Sequence, residues 1–332
     1  MNRLAPASTR ARSAQQRPQD GFTLIEMMIA ITIGLGILAG LVGVLAANSS
    51  NSRSNDRTSE LMTNGRYALN SMKQEMRQAG FRGYTWAEPN AITASTLGTL
   101  SNECLASGAT AGTFVSNIRQ GIWGANNSNP FSGSCIPTAS FAAGNDVLVV
   151  RRLSALPETP VANKLYFQSS YSVGQIFRGA TPPAFADSPT PLASFAVQIY
   201  VYYISPFTVS ASESPLVPAL YRVSLQNDGS MTRELVAGGI EHLQVQYGIL
   251  NTGTPPTTQF FDTITGSSVT TAATDWDNVN SVRIWLLARN ETAEPGYQNS
   301  NIYAMGDQTY DFSAAPDGFR RQVFSTVVQL RN

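Results

Sequence analysis

The sequence predicts an α+β protein in which a long N-terminal helix packs on a large, antiparallel β-rich head. Three observations support this: an apolar run near the N-terminus, an amphipathic stretch directly after it, and a long C-terminal part in which β-type runs alternate with turn-rich segments. We divide the chain into a leader at 1–21, an apolar helix at 22–47, its amphipathic continuation at 48–82 and the head at 83–332.

The apolar run can cross a membrane. From Phe22 to Ala47, Glu26 is the only charged residue. A helix of the uncharged residues from Met27 to Ala47 would be about 32 Å long at roughly 1.5 Å per residue, which matches about 30 Å of bilayer hydrocarbon. The residues ahead of it are basic (Arg3, Arg10, Arg12 and Arg17, with one acid, Asp20). The positive-inside rule therefore predicts a cytoplasmic N-terminus and a head on the far side of the membrane, which for an inner membrane is the periplasm.

Two simpler interpretations compete with this one. A secretory signal has an apolar core of about 7–15 residues, shorter than this run, although Leu45-Ala46-Ala47 could mimic its cleavage site. An uncleaved membrane anchor fits the length but gives no reason for Glu26. A carboxylate at the centre of a membrane helix costs about 2.5–3.5 kcal/mol, and less near an end, so Glu26 calls for a partner.

The string Gly21-Phe22-Thr23-Leu24-Ile25-Glu26 resembles the processing site of type IV prepilins. The resemblance implies that a prepilin peptidase cuts between Gly21 and Phe22 and methylates the new N-terminal amine of Phe22. Glu26 would then be the fifth mature residue, which in that family meets the N-terminal amine of a neighbouring subunit. That amine has an ordinary pKa of about 7.7–8.0, so it is largely cationic and can pair with the carboxylate.

The apolar helix also contains Gly34, Gly36, Gly40 and Gly43. Gly36 and Gly40 form a small-xxx-small pair, which allows helices to approach closely in lipid. The alternative is simple tolerance of glycine in membrane helices.

The amphipathic stretch follows a polar segment at 48–55, where loosening of the helix is expected. Its apolar residues recur near helical spacing, at Leu61, Ala68, Met72 and Ala79, and Gly65 weakens it. The strings Gly65–Leu69 and Gln78–Phe81 resemble the PilW-type minor pilins, as do 239–247, 282–287 and 320–332. The resemblance to J-type minor pseudopilins of type II secretion is looser.

Eight strands are predicted in the head from runs rich in Val, Ile, Tyr, Phe and Leu. They are Asp146–Leu153, Lys164–Phe167, Phe195–Ile204, Ala219–Gln226, Met231–Leu235, His242–Ile249, Val279–Ala288 and Gln322–Leu330. Asn227-Asp228-Gly229 predicts a hairpin. Alternation of Gln198, Tyr200 and Tyr202 with apolar residues predicts a wetter second face for the third strand. Segments 91–140, 174–193, 251–277 and 291–318 are predicted to be long surface loops.

The composition argues against nucleic-acid binding. The chain has 22 basic and 22 acidic residues, and charged residues are 13% of the total, so no broad basic face is expected.

Cys104 and Cys135 both follow the apolar run, and in an oxidising periplasm we expect them to form a disulfide. Two free thiols or a redox pair are the alternatives.

Few residues suggest catalysis, so we predict a protein that is not an enzyme and has no cofactor. His242 is the single histidine and lies within a predicted strand, where a satisfied structural role is favoured. One histidine and two cysteines do not make a zinc site, and the acids at 275–277 and 307–311 lack calcium-loop spacing. We therefore expect no metal site.

The function that these features imply is a minor prepilin that helps to initiate type IV pilus assembly and sits at or near the pilus tip, in support of twitching motility, adhesion or DNA uptake. Its expected partners are the prepilin peptidase, other minor pilins, the major pilin and the assembly machinery. The alternatives are a J-type pseudopilin that caps a secretion pseudopilus, and an adhesive or DNA-receptor module carried on the pilus.

Overall fold

The computed structural model describes residues 21–86, 92–94, 97–185, 190–251, 253, 255–264 and 276–330. Most of the predicted leader, and Asp275, lie outside these residues. The chain divides into two compact units, Met1–Asn55 and Asp56–Asn332, which we describe separately. The helix α1 spans Leu24–Met76 and contributes to both.

In the first unit, α1 carries a solvent-facing apolar surface from its start to Leu45. It is long and apolar enough to cross a membrane. The helix is continuous through residues 48–55, contrary to the expectation of a loosened stretch.

The second unit contains two main sheets and a small hairpin. The eight-stranded sheet has the order β1-β5-β4-β6-β3-β2, with β7 paired to β6 and β8 paired to β7; the four-stranded sheet has the order β10-β9-β11-β14, and β12 pairs with β13. The strands are β1 Ile92–Ala94, β2 Ile122–Ala125, β3 Val147–Leu153, β4 Leu165–Ser169, β5 Gly174–Arg178, β6 Ala193–Ser205, β7 Ala219–Leu225, β8 Met231–Gly238, β9 Ile240–Asn251, β10 Thr257–Phe261, β11 Val279–Arg289, β12 Ile302–Met305, β13 Gln308–Asp311 and β14 Arg321–Gln329.

The second half of α1 packs on the head through the predicted apolar face. Leu61, Ala68, Met72 and Ala79 are all buried. They lie in one core with residues from one face of the eight-stranded sheet, such as Leu148, and residues from the four-stranded sheet. The α+β architecture predicted from the sequence is confirmed.

The eight-stranded sheet has a core on each face, which corrects the prediction at Tyr202, whereas Gln198 and Tyr200 on the same face of β6 are only partly buried, as predicted. In β6, Val201 and Tyr203 face a second core that also contains both cysteines. Tyr202, predicted to lie on a wetter face, is fully buried in the core shared with α1. The alternation of residue types did not reveal this because a tyrosine fits either a wet or a dry face.

All eight predicted strands are present, and residues 226–230 join β7 to β8 as the predicted hairpin. The prediction of long surface loops was wrong at six places, because β1, β2, β5, β10, β12 and β13 lie in those segments. Each of the six is only three to five residues long. Runs this short are too brief to show a clear period-2 pattern.

Candidate functional site

The N-terminus of α1 is closed by a reciprocal pair of hydrogen bonds between Thr23 and Glu26. The backbone N–H of Thr23 donates to Oε2 of Glu26 at 3.0 Å, and the backbone N–H of Glu26 donates to Oγ1 of Thr23 at 3.3 Å. The Thr23 hydroxyl also donates to Oε2 at 3.0 Å. This is a capping box, in which a Thr and a Glu three residues later satisfy backbone donors that the helix leaves unpaired.

The capping box changes the interpretation of Glu26. Its carboxylate accepts hydrogen bonds from Thr23, and in the part of the chain that the structure describes it forms no ion pair. This role was not predicted from the sequence, although Thr-x-x-Glu directly before an apolar run is its recognised signature. Glu26 therefore has one use within its own chain before any neighbour is considered.

The apolar surface that follows has no partner among the described residues of its own unit. Phe22 is 86% exposed, and large apolar side chains stay more than half exposed as far as Leu45. A β-carbon built on Gly36 or Gly40 would have nothing within 4 Å. No contact with another described residue therefore explains glycine at either position.

A salt bridge ties the end of α1 to the head. The guanidinium of Arg152 donates from Nε to Oε2 of Glu75 at 2.7 Å, and Nη2 lies 2.6 Å from the same oxygen. Both side chains are mostly buried, with 11% and 15% of their area exposed. Two backbone bonds follow: Gly80 N–H donates to the carbonyl of Arg151, and Leu153 N–H donates to that of Phe81.

The predicted disulfide between Cys104 and Cys135 is confirmed. Their Cα atoms are 4.8 Å apart, and both residues are buried. The bridge lies in the second core, on the face of the eight-stranded sheet opposite α1, beside Phe114 and Phe131. It closes the segment that contains the helix α2, Thr113–Ser116.

His242 is structural but is not fully satisfied. Its ring stacks on that of Tyr310 with centroids 3.7 Å apart, and burial lowers its pKa to about 4. Nδ1 is buried and has no hydrogen-bond partner among the described residues, which corrects the expectation of a satisfied histidine. A neutral imidazole at this depth serves as packing.

The acidic residues considered as metal ligands are used in other contacts. Asp277 pairs with Arg119 at 2.9 Å, and Asp307 accepts hydrogen bonds from the side chains of Asn126 and Asn127. Within the described ranges, no group of three or more His, Cys, Asp or Glu residues is arranged to hold a metal ion.

One buried carboxylate was missed by sequence reasoning. Asp146 accepts hydrogen bonds from the backbone N–H groups of Asn127 at 2.9 Å and Val245 at 2.7 Å, so it joins the two main sheets. Burial raises its pKa to about 7, and Asp307 and Asp262 add to the shift. Its position directly before an apolar strand is the only sequence signal that could have indicated burial.

Comparison with protein families gives two matches at opposite ends of the chain. Residues 201–332 match the family of type IV pilus-assembly protein W, and residues 16–42 match the prokaryotic N-terminal methylation motif. Comparison with curated proteins and with solved structures finds no significant match. The first match covers the last part of the eight-stranded sheet and the whole four-stranded sheet, and the second covers the capping box and the apolar half of α1. In these two regions the chain matches what is expected of a PilW-type minor pilin that carries the prepilin methylation motif.

Proposed function

We propose that this protein is a minor prepilin that is matured by cleavage between Gly21 and Phe22 and by methylation of the Phe22 amine, and that it helps to initiate type IV pilus assembly. The observation that carries the proposal is the apolar surface of α1, which begins at the cleavage position and has no partner among the residues of its unit that the structure describes. A surface of that kind must be covered by lipid before assembly and by other helices in a filament.

Glu26 has two successive roles in this proposal. In the single chain its carboxylate closes the capping box with Thr23. Cleavage after Gly21 leaves the Thr23 N–H in place, so the cap survives maturation. In the filament the carboxylate also meets the cationic amine of a neighbouring subunit, which sets the axial position of one helix against the next.

Gly36 and Gly40 are proposed to be points of close approach between neighbouring helices. Neither position has a contact with the rest of the described structure, which supports this, because glycine is otherwise unfavourable in a helix by roughly 1 kcal/mol relative to alanine.

The basic leader gives the orientation, with the N-terminus cytoplasmic and the head in the periplasm. The size of the head favours a place at or near the pilus tip, since a bulky subunit is hard to repeat along a thin shaft. The remaining partners are the prepilin peptidase, other minor pilins and the major pilin.

Mass spectrometry of the protein purified from membranes and from sheared pili tests the maturation step. We expect an N-terminus at Phe22 that carries one added methyl group, and co-purification with other pilins at low stoichiometry. An intact Met1, a start at 48 or abundance equal to that of the main subunit would contradict the proposal. Loss of twitching with intact secretion in a knockout would favour the pilus over a pseudopilus.

A pair of variants separates the two roles of Glu26. Glu26→Ala removes both the cap and the charge, whereas Thr23→Val removes the side-chain half of the cap and keeps the carboxylate. We expect both variants to be processed, and only Glu26→Ala to be lost from pili. Equal loss of both would show that capping alone matters, and normal incorporation of Glu26→Ala would exclude the assembly role.

A further inference from the structure

A cavity of about 290 Å³ opens beside the disulfide, on the face of the eight-stranded sheet opposite α1. Its walls come from α2, the segment closed by the disulfide, and β3. It is independent of the pilin features described above, because none of its lining residues belongs to α1.

The guanidinium of Arg151 lies at this cavity without a counterion. Arg151 is only 3% exposed, and no carboxylate of the described residues lies within salt-bridge distance of it. Nε donates to the carbonyl of Phe114 and Nη1 to that of Gln120, both at 3.2 Å. Nη2 makes no hydrogen bond in the described part of the chain. Burying an unpaired charge is costly, so this arrangement calls for an anionic partner.

A buried acid is nearby in the same region but is committed elsewhere. The carboxylate of Glu103 accepts hydrogen bonds from the backbone N–H groups of Gly112 at 2.6 Å, Phe114 at 3.1 Å and Val115 at 3.3 Å. Burial lowers the pKa of Arg151 to about 9, which still leaves it charged at neutral pH. The charge is therefore present, and its partners among the described residues are two backbone carbonyls and the ring of Phe114, whose centroid lies 4.5 Å from Cζ.

The rest of the cavity combines an aromatic wall with a polar rim. Phe131 packs edge-on against Phe114 with ring centroids 5.3 Å apart, and it lies tilted against Trp123 with ring centroids 5.7 Å apart. At the rim, Nδ2 of Asn117 donates to Oε1 of Gln120 at 3.2 Å, which leaves the second atom of each amide available. A small number of polar groups set among aromatic walls is typical of small-ligand sites.

We propose that this cavity binds a carboxylated sugar of the uronic acid class. Arg151 would hold the carboxylate, since a guanidinium matches carboxylate geometry with paired N–H donors. The aromatic wall would pack on the apolar C–H face of the ring, and the amides of Asn117 and Gln120 would exchange hydrogen bonds with its hydroxyls. An acidic peptide would satisfy Arg151 but has no ring to cover this wall, and the volume accommodates about one ring.

The test is calorimetric titration of the detergent-solubilised full-length protein with glucuronate, glucose and N-acetylaspartate, in a buffer free of carboxylates. Glucose is the matched neutral control, because it has a hydroxymethyl group where glucuronate has the carboxylate. Arg151→Gln removes the charge from the cavity. Arg233→Gln removes one at a separate surface, where Arg233 donates to Ser140. Asn117→Ala changes only the exposed rim, so it keeps the test informative if Arg151→Gln does not fold.

We expect glucuronate to bind at least about tenfold more tightly than glucose, in line with a charge-assisted hydrogen bond. Arg151→Gln should abolish that preference, Asn117→Ala should weaken binding of glucuronate, and Arg233→Gln should change neither. Equal binding of the two sugars, no binding of glucuronate, or an unchanged response in Asn117→Ala would overturn the proposal. Tighter binding of N-acetylaspartate would overturn the assignment to a sugar.

Discussion

The ring of Phe324 in β14 lies directly against Gly65 of α1. A β-carbon at Gly65 would be 2.2 Å from Cε2 of Phe324, well inside van der Waals contact. Glycine at this position therefore serves packing: it allows a strand near the C-terminus to approach a helix near the N-terminus. From the sequence, only the cost of Gly65 to the helix is visible, because its partner is more than 250 positions away.

We predict that Gly65→Ala destabilises the head by about 1–3 kcal/mol, the range for overpacking a filled core. The same change in an exposed helix would be stabilising by roughly 1 kcal/mol. The sign of the change in the free energy of unfolding therefore shows whether Gly65 is packed against Phe324. Denaturant unfolding of the detergent-solubilised protein, followed by tryptophan fluorescence, measures it.

Gly36→Ala is the control for this prediction, since open space surrounds that position and the head should not respond. Phe324→Ala in the Gly65→Ala background should recover part of the loss, because it removes the clashing ring. A Gly65→Ala variant as stable as the parent would contradict the contact.

The salt bridge between Glu75 and Arg152 provides a second prediction. Glu75→Gln should lower the free energy of unfolding of the head by about 1–3 kcal/mol, because it leaves a mostly buried guanidinium without its counterion. Glu158→Gln is the matched control: its pair with Lys164 is similar in length at 2.6 Å, but Glu158 is 37% exposed. We expect less than about 1 kcal/mol there. Equal effects would show that the Glu75 pair is not energetically distinct.

The features predictable from sequence are those carried by local patterns. The apolar run, the period of Leu61, Ala68 and Met72, and the eight longer strands each show in the order of residues alone. The prediction that Tyr202 lies on a wetter face was wrong because the burial of Tyr202 depends on which element covers the second face of the sheet. The unpaired Arg151 could not be foreseen for the same reason: only the folded chain shows that Glu103, the nearby acid, is already engaged.

The disulfide should contribute most of its stabilisation through the unfolded state. Cys104 and Cys135 are 31 residues apart, and for a loop of that size the chain-entropy account gives about 3–4 kcal/mol. We predict that Cys104→Ser with Cys135→Ser lowers the free energy of unfolding by that amount. Comparing the unfolding midpoint of the parent with and without reductant gives an independent measurement. The double variant should not respond to reductant, and a parent that also fails to respond would contradict the prediction.

Considered by itself, the buried histidine should lower the stability of the head in acid. The pKa of His242 is about 4 in the folded protein and 6.5 ordinarily, so the folded state resists protonation. Its contribution is therefore complete above pH 6.5 and is lost as the pH falls toward 4, by about 3 kcal/mol at most. His242→Phe keeps a ring on Tyr310 and removes the titration. Its stability relative to the parent should rise as the pH falls through this range, as followed by denaturant unfolding at several pH values.

Asp146 should act in the opposite direction over nearly the same range. Its pKa is about 7 in the folded protein and 3.8 ordinarily, so the folded state takes up a proton more readily than the unfolded chain. Stability from this group is complete below pH 3.8 and is lost as the pH rises through 7, by about 4 kcal/mol at most.

In the parent the effects of His242 and Asp146 on the pH dependence of stability oppose each other between about pH 4 and pH 6.5, so stability should change little there. In Asp146→Asn only the effect of the histidine remains, so stability should fall as the pH is lowered. In His242→Phe only the effect of the aspartate remains, so stability should rise as the pH is lowered. If both variants kept the flat profile of the parent, neither group would titrate as its burial requires.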